Sequence, residues 1–405
     1  MNVDELVRDA LREQAGEQTA AGPGFADRVL ALHRRRRTRR LATVAAATAA
    51  VVAVAVAVPL LDSGKSDTRP SGVTEQHGIH PHPTQSPPRD LISAGETALA
   101  AYYIPKTVKQ SPKQAVSQRT YWLLDPKTGK YVKDTRWSYV AVAPGMKAAA
   151  VLERTLPAAR IGLLDLATGK VARWILVDHG VAGLAFSRDG KKLVATTYGK
   201  NPDLRVKMQG SKSWDSEQTS SRTGFYVFDV TTGKGSWSEV KLGGDPNNPM
   251  GGGFLNARQD FAFSHDGRHV WAGNPMGDIG KQFYEPSGAE ISVPANEKYV
   301  DWFVDAYKSP SGRLVAGDFA GKKWETSSYV IDAVTGAKTE VHGQQLLAWV
   351  GEKSLIAWDI IPGSNEFHQQ LVLVTIGSNK EVPLSGLRMG NDGDAGRWEP
   401  VFAEY

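Results

Sequence analysis

Four stretches of this chain are near copies of one another: YWLLDPKTGK from Tyr121, IGLLDLATGK from Ile161, FYVFDVTTGK from Phe225 and SYVIDAVTGA from Ser328. Each is a β-branched or aromatic run, then Asp, two residues, Thr and Gly. QFYEPSGAE from Gln282 and LVLVTIGSNKE from Leu371 are degenerate copies. A second element alternates with the first, as YVAVAPGMKAAAVL, LAFSRDGKKLVATT, FAFSHDGRHVWAG, AYKSPSGRLVAGD and LAWVGEKSLIAWD. The apolar runs supply strands. The Thr-Gly or Asp-Gly supplies a positive φ at the turn for little steric cost, so both elements read as hairpins.

Two hairpins per unit make a four-stranded antiparallel sheet, and units of about forty residues with four strands are β-propeller blades. The turn glycines Gly129, Gly169, Gly233, Gly288, Gly336 and Gly377 count six such units. The expected fold class is therefore all-β, with six blades and seven as the alternative. The first unit lacks a complete leading hairpin, since only ETALAAYYIP precedes YWLLDP, while RWEPVFAEY follows the sixth unit. The C-terminal strand is expected to complete the first blade and so remove an exposed sheet edge. With no cysteine in 405 residues, that closure takes the place of a disulfide lock.

Over residues 92–405 the alternation resembles WD-repeat and TolB-type propellers. Its TTG and DG turns are closer to the YVTN and TolB-like branch, because the Trp-Asp dipeptide of strict WD repeats ends no unit. The resemblance implies an architecture and leaves the function open.

Upstream, HRRRRTRRLATVAAATAAVVAVAVAVPLL sets six arginines against a charge-free run from Leu41 to Leu61. At about 1.5 Å per residue, that run matches the roughly 30 Å hydrocarbon core of a bilayer. A guanidinium crosses a membrane at high cost, so Arg34, Arg35, Arg36, Arg37, Arg39 and Arg40 are expected to stay cytoplasmic. Everything after Leu61 then lies outside the cell membrane. A cleaved signal peptide with Ala55-Val56-Ala57 as its site is the competing reading; the length of the run and the forty residues before it favour an uncleaved anchor. Ala45, Ala49, Ala53 and Ala57 form a small-residue stripe of the kind that lets two helices approach.

The expected organisation is a cytoplasmic arm (1–40), a transmembrane helix (41–61), a Pro/Gly/Ser-rich spacer (62–90) and the propeller (91–405). In the arm, Val3, Leu6, Val7, Ala10 and Leu11 fall on one helical face, with Asn2 and Glu5 as a capping pair. AGPG interrupts at Ala21, and Phe25, Val29 and Leu32 share a face beyond it. Forty residues build no core alone, so these stripes call for a partner, each other or the bilayer surface. The spacer histidines His77, His80 and His82 lack an acidic or thiolate ligand set and read as solvated.

The net charge of +5 invites a nucleic-acid reading, but it is local. Residues 1–40 hold nine Arg against six acids, which leaves 39 basic and 37 acidic residues elsewhere. The exterior part thus has no electrostatic footprint for DNA or RNA.

Catalytic signatures are sparse. There is no Gly-x-Ser-x-Gly elbow. SGKS at Ser63 lacks the upstream glycine of a phosphate loop. His179, His265, His269, His342 and His368 are scattered, so no metal or cofactor is assigned, with an axial metal site as the enzyme alternative. Trp174, Trp271, Trp302, Trp349 and Trp358 read as packing between blades. Two long loops stand out, Tyr198–Gly224 and Gly243–Phe254. In the first, Lys200, Arg205, Lys207, Lys212 and Trp214 are candidates for engaging a glycan or peptide.

The whole arrangement resembles single-pass regulators of high-GC bacteria encoded beside extracytoplasmic-function sigma factors. That resemblance implies that Val3, Leu6, Val7, Leu11, Phe25, Val29 and Leu32 clamp a sigma factor by helix-in-groove contact. The arm departs from the pattern in being short and in lacking the His/Cys zinc motif. The rival reading is a cell-envelope scaffold or binding propeller without signalling.

Overall fold

The computed structural model describes residues 78–207, 213–217, 220–240, 258–273, 280–301, 303–321, 326–360, 367–389 and 397–405. Within them the chain is β throughout, apart from one turn of 3-10 helix at Ala295–Glu297. No helix among the described residues is long and apolar enough to cross a membrane. The Leu41–Leu61 run and the arm lie outside the described residues.

The strands follow one another as antiparallel meanders. Glu399–Glu404, Thr97–Lys109, Gln114–Asp125 and Lys130–Asp134 lie side by side. Next come Trp137–Val142, Ala148–Glu153, Ala158–Asp165 and the long strand Lys170–Phe186. The second half of that long strand turns to pair with Lys192–Tyr198, which is followed by Arg222–Asp229 and Gly235–Glu239. Ala262–Phe263, Val270–Gly273, Lys281–Tyr284 and Glu290–Ile291 form another meander. Leu314–Phe319, Ser327–Asp332 and Lys338–His342 form a three-stranded one, extended by a bridge between Lys308 and Val315. Gln345–Val350, Ser354–Ile360, Gln369–Thr375 and Glu381–Pro383 complete the series.

The repeated motif has a local physical cause. In Asp-x-x-Thr-Gly the glycine adopts the left-handed region, at φ 67° in Gly129 and 68° in Gly233. Its amide donates back to the Asp carbonyl, at 2.9 Å in Gly129 and 2.8 Å in Gly233. The Asp carboxylate accepts from the turn itself: the Thr128 hydroxyl donates to Asp125 at 2.8 Å and the Thr232 hydroxyl to Asp229 at 2.8 Å. The alternating element closes differently. Ser187 donates to Asp189 at 2.6 Å and accepts from the Lys192 amide at 2.9 Å; Ser264, Asp266 and His269 repeat the arrangement.

Apolar clusters fill the gaps between meanders. Tyr121, Trp137, Val140 and Leu164 join the first to the second, and Leu163, Phe186 and Tyr226 carry the contact onward. Phe225, Phe261, Trp271, Tyr307 and Ile331 continue it, as do Val330, Val341, Leu346 and Trp349. Trp358 and Leu371 of the last meander then pack on Leu99, Tyr102, Trp398 and Phe402 of the first. Sheets packed in series, with the last against the first, constitute a β-propeller. The C-terminal strand holds the closure, with Val401 opposite Ala101 and Phe402 opposite Leu99. Trp271, Trp349 and Trp358 are all buried in these gaps.

Residues 78–90, within the stretch expected to be an extended spacer, are packed on the propeller. Ile79–His80 pairs with Ser93–Ala94. The Gln85 carboxamide oxygen accepts from the Arg89 and Asp90 amides, and the Trp398 indole donates to Ser86. Backbone and side-chain hydrogen bonds together fix this Pro-rich segment.

Candidate functional site

In an up-and-down meander the short motif turns gather at one end and the other connections at the opposite end. At that second end, the hairpin Thr97–Lys109/Gln114–Asp125 rises beyond its neighbours. Leu204–Val206, from the long Tyr198–Gly224 insertion, pairs with Gln114–Val116, and Asp215–Ser216 pairs with Leu204–Val206 in turn. The two pieces form one β strap that starts on the first meander and ends on the insertion of the third. Arg154, between the strands of the second meander, donates to the Arg119 carbonyl at 2.8 Å and to the Gln118 side chain at 2.7 Å.

A charged lattice lies beneath the strap. Arg119 grips the Asp203 carboxylate with both terminal nitrogens, at 2.8 and 2.9 Å. Arg258 grips the same carboxylate from another side through Nε and Nη2, at 2.8 and 2.7 Å. The remaining Arg258 nitrogen donates to Asp260 at 2.8 Å, and Asp260 also accepts from the Tyr198 hydroxyl at 2.8 Å. Arg119 is 2 % exposed and Asp203 8 %. Burial alone would raise the Asp203 pKa, but the two guanidinium groups outweigh it and hold the carboxyl well below its usual range. Tyr139 lies between the cations, 5.6 Å from Arg119 and 5.3 Å from Arg258. Its buried hydroxyl has no hydrogen-bond partner among the described residues. Two bidentate pairs on one carboxylate constrain position and orientation together. The lattice therefore fixes the insertion to the body and presents the strap as a rigid surface.

Other buried ionisable groups lie apart from it. Burial pushes Asp305 up to about 7, against the hydrogen bond that Gln345 donates at 2.8 Å. Burial, aided by Arg188 and Lys308, lowers His265 to about 4; its Nε2 lies 2.9 Å from Arg188. Lys281 Nζ sits 3.5 Å from the Trp271 ring centroid and 4.0 Å from that of Tyr307, without a hydrogen-bond partner among the described residues. Burial holds that amine well below the usual lysine range.

The expected loop residues are partly brought together. Arg205 sits in the strap ladder opposite Ala115 and donates to Ser216 at 3.0 Å. The Lys207 amide donates to the Lys113 carbonyl at 3.1 Å, and its ammonium lies 5.9 Å from the Trp214 ring. Lys200 is exposed at the base of the insertion, where its amide donates to Ser221 at 3.0 Å. Lys212 lies outside the described residues, as do Val3, Leu6, Val7, Leu11, Phe25, Val29, Leu32 and Arg34, Arg35, Arg36, Arg37, Arg39 and Arg40. The histidines occupy separate places: His179 stacks on Trp237 at 3.7 Å, while His269 and His342 face Glu285 and Glu381. Among the described residues no group of three or more His, Cys, Asp or Glu is placed to hold a metal ion.

Sequence reading missed Arg119, Asp203 and Arg258. One signal was available for Arg119, which occupies an inward position of the alternating run Ala115, Ser117, Arg119, Tyr121. A charge on a core face calls for a buried counter-ion.

No family model matches the chain, and no curated protein does. Among solved structures, TolB from Acinetobacter baumannii is similar at 14 % identity, over 71 % of this chain and 67 % of that one, with a TM-score of 0.37. The Myceliophteria thermophila Cps50 (Swd1) β-propeller domain is similar at 11 % identity, over 72 % and 87 %, with a TM-score of 0.36. The Pyrococcus horikoshii acylaminoacyl peptidase is similar at 14 % identity, over 74 % of this chain and 46 % of that one, with a TM-score of 0.38. Likenesses this distant carry no argument about what the chain binds or does.

Proposed function

We propose that this chain is a membrane-anchored binding propeller of the cell envelope, working as a sensor or scaffold rather than as an enzyme. The observation that carries the reading is the doubly gripped Asp203, which turns a long insertion into a fixed surface at the loop end of the fold. Fixed surfaces on a closed β ring suit recognition, because little ordering entropy remains to be lost on binding.

In this reading the ring has six blades. The seven-stranded sheet divides within Lys170–Phe186, whose first half pairs with Ala158–Asp165 and whose second half pairs with Lys192–Tyr198, and the three-stranded meander gains its inner strand around Lys308. The run Leu41–Leu61 is the anchor, and the arginines before it set the N-terminus inside. The arm then meets a cytoplasmic partner, for which a sigma factor is the reading, through Leu6 and its neighbours on the helix face. Co-purification of the full chain with a sigma factor, lost in Leu6→Asp, tests that assignment; retention of the partner in the variant, or failure to recover one, overturns it.

A further inference from the structure

The strap carries a net positive charge, with Lys106, Lys109, Lys113, Arg205 and Lys207 against Asp215 and Glu217. From Thr97 to Leu124 there is no Asp or Glu, while Lys106, Lys109 and Lys113 are exposed near the hairpin tip. None of the three takes part in an ion pair among the described residues. Lys207 adds a fourth exposed ammonium beside the tip.

The ladder also fixes which side chains share a face. Val108 is opposite Val116, Val116 is opposite Leu204, and Val206 is opposite Gln114. Directly opposed residues lie on one face, and so do alternate residues of a strand. Val108, Val116, Leu204 and Val206 therefore share one face and are half-buried, while Ile104 on that face packs against the core between the last and first meanders. The opposite face bears Ala115, Ser117 and Arg119, all buried against the body. Val108, Val116 and Leu204 thus lie on the face turned away from Arg119, with Lys106 beside Val108 on that face and Asp215 opposite Val206.

The strap tip also lies far from the first described residue of the chain. The Gly78 carbonyl accepts from the Gly95 amide at 3.2 Å, so the chain joins the propeller at the start of strand Thr97–Lys109. At about 3.3 Å per residue the other end of this strand, where the lysines sit, is roughly 40 Å distant. A polyanion would need the charges and not the apolar row.

We propose that the outward face of the strap docks an acidic polypeptide segment, whose apolar side chains cover Val108, Val116 and Leu204 while its carboxylates meet the lysines. This rests on the reading of the chain as a binding propeller and names the partner's chemistry.

The test uses the full chain in detergent micelles, with a fluorescent dodecapeptide of alternating Glu and Val as probe. An all-Glu dodecapeptide, inorganic polyphosphate and phosphatidylglycerol vesicles serve as comparisons. The alternating peptide is expected to bind most tightly and to lose about tenfold in affinity in both Lys106→Glu and Val116→Ser, as expected when one partner of a charged contact or one apolar contact is removed. Unchanged urea midpoints of the variants exclude misfolding as the cause. Equal affinity for polyphosphate with no effect of Val116→Ser, preferential binding to vesicles, or no peptide binding would each overturn the proposal. Surface labelling of Ser111→Cys on intact cells reads the location independently, so failure of docking and failure of the envelope reading are separable.

Discussion

Arg258 reaches Asp203 across 55 positions of sequence and holds both carboxylate oxygens, while Arg119 holds the same two from 84 positions away. Removing the anion from between two buried cations leaves charge without compensation. Asp203→Asn is expected to cost about 3–5 kcal/mol. A urea titration would show this as a lower midpoint at unchanged slope, and amide exchange at Ser117 should quicken as the insertion loosens. A loss below about 1 kcal/mol would mean that the strap is held by its ladder alone.

Closure by the C-terminal strand is expected to be capturable covalently. Ala101 and Val401 are register partners in the strand pairing and both are buried. Opposed Cα atoms in antiparallel strands lie about 4.5–5.5 Å apart, within disulfide range. The double variant Ala101→Cys, Val401→Cys should cross-link under mild oxidation and raise the unfolding midpoint, whereas Ala101→Cys with Ala403→Cys should not. Native cysteines do not interfere, because the chain has none.

His265 predicts a loss of stability in mild acid. Its folded pKa is lowered to about 4, while the unfolded chain takes up that proton near 6.5. Between those values the unfolded state binds more protons, so stability falls as pH drops from about 6.5 to about 4. The contribution is about 2–3 kcal/mol for a group mostly shielded from water. His265→Gln should flatten that limb in urea titrations across this range.

Lys281 predicts a slope of the same sign at the alkaline end of the range. Its amine is buried over Trp271 and Tyr307 with no hydrogen-bond partner among the described residues, and its pKa is depressed by burial. Below the unfolded value near 10.5 the unfolded chain binds the extra proton, so stability should rise with pH through the alkaline range. Lys281→Met, which keeps the volume and removes the amine, should abolish this slope and leave stability at pH 7 unchanged or about 1 kcal/mol higher. A strongly destabilised variant would mean that the contact with the rings outweighs desolvation.

The sequence made the repeating parts of this fold legible because their causes are local. A left-handed glycine after Asp-x-x-Thr, as at Gly129, Gly169, Gly233 and Gly336, reveals itself within five residues. Closure was legible too, because an incomplete first unit and a surplus final strand imply each other. Arg119, Asp203 and Arg258 were not: nothing within a window of any one of them points to the other two. The sequence places Lys200, Arg205, Lys207 and Trp214 in a loop, yet Arg205 stands in a ladder whose other strand begins at Gln114, and Lys207 bonds to its edge at Lys113. Strand pairing between distant segments leaves no short-range trace. Gln85 shows the same limit at small scale, since Pro/Gly/Ser composition conceals a segment fixed by one side-chain amide.

Location is the claim on which the proposed function depends, and the absence of cysteine makes it directly measurable. Ser111→Cys, at the exposed strap tip, and Ala20→Cys, in the arm, would each be expressed and treated on intact cells with a membrane-impermeant maleimide. The account predicts that Ser111→Cys is labelled at once and Ala20→Cys only after lysis. Labelling of Ala20→Cys on intact cells, or protection of Ser111→Cys until lysis, would contradict it.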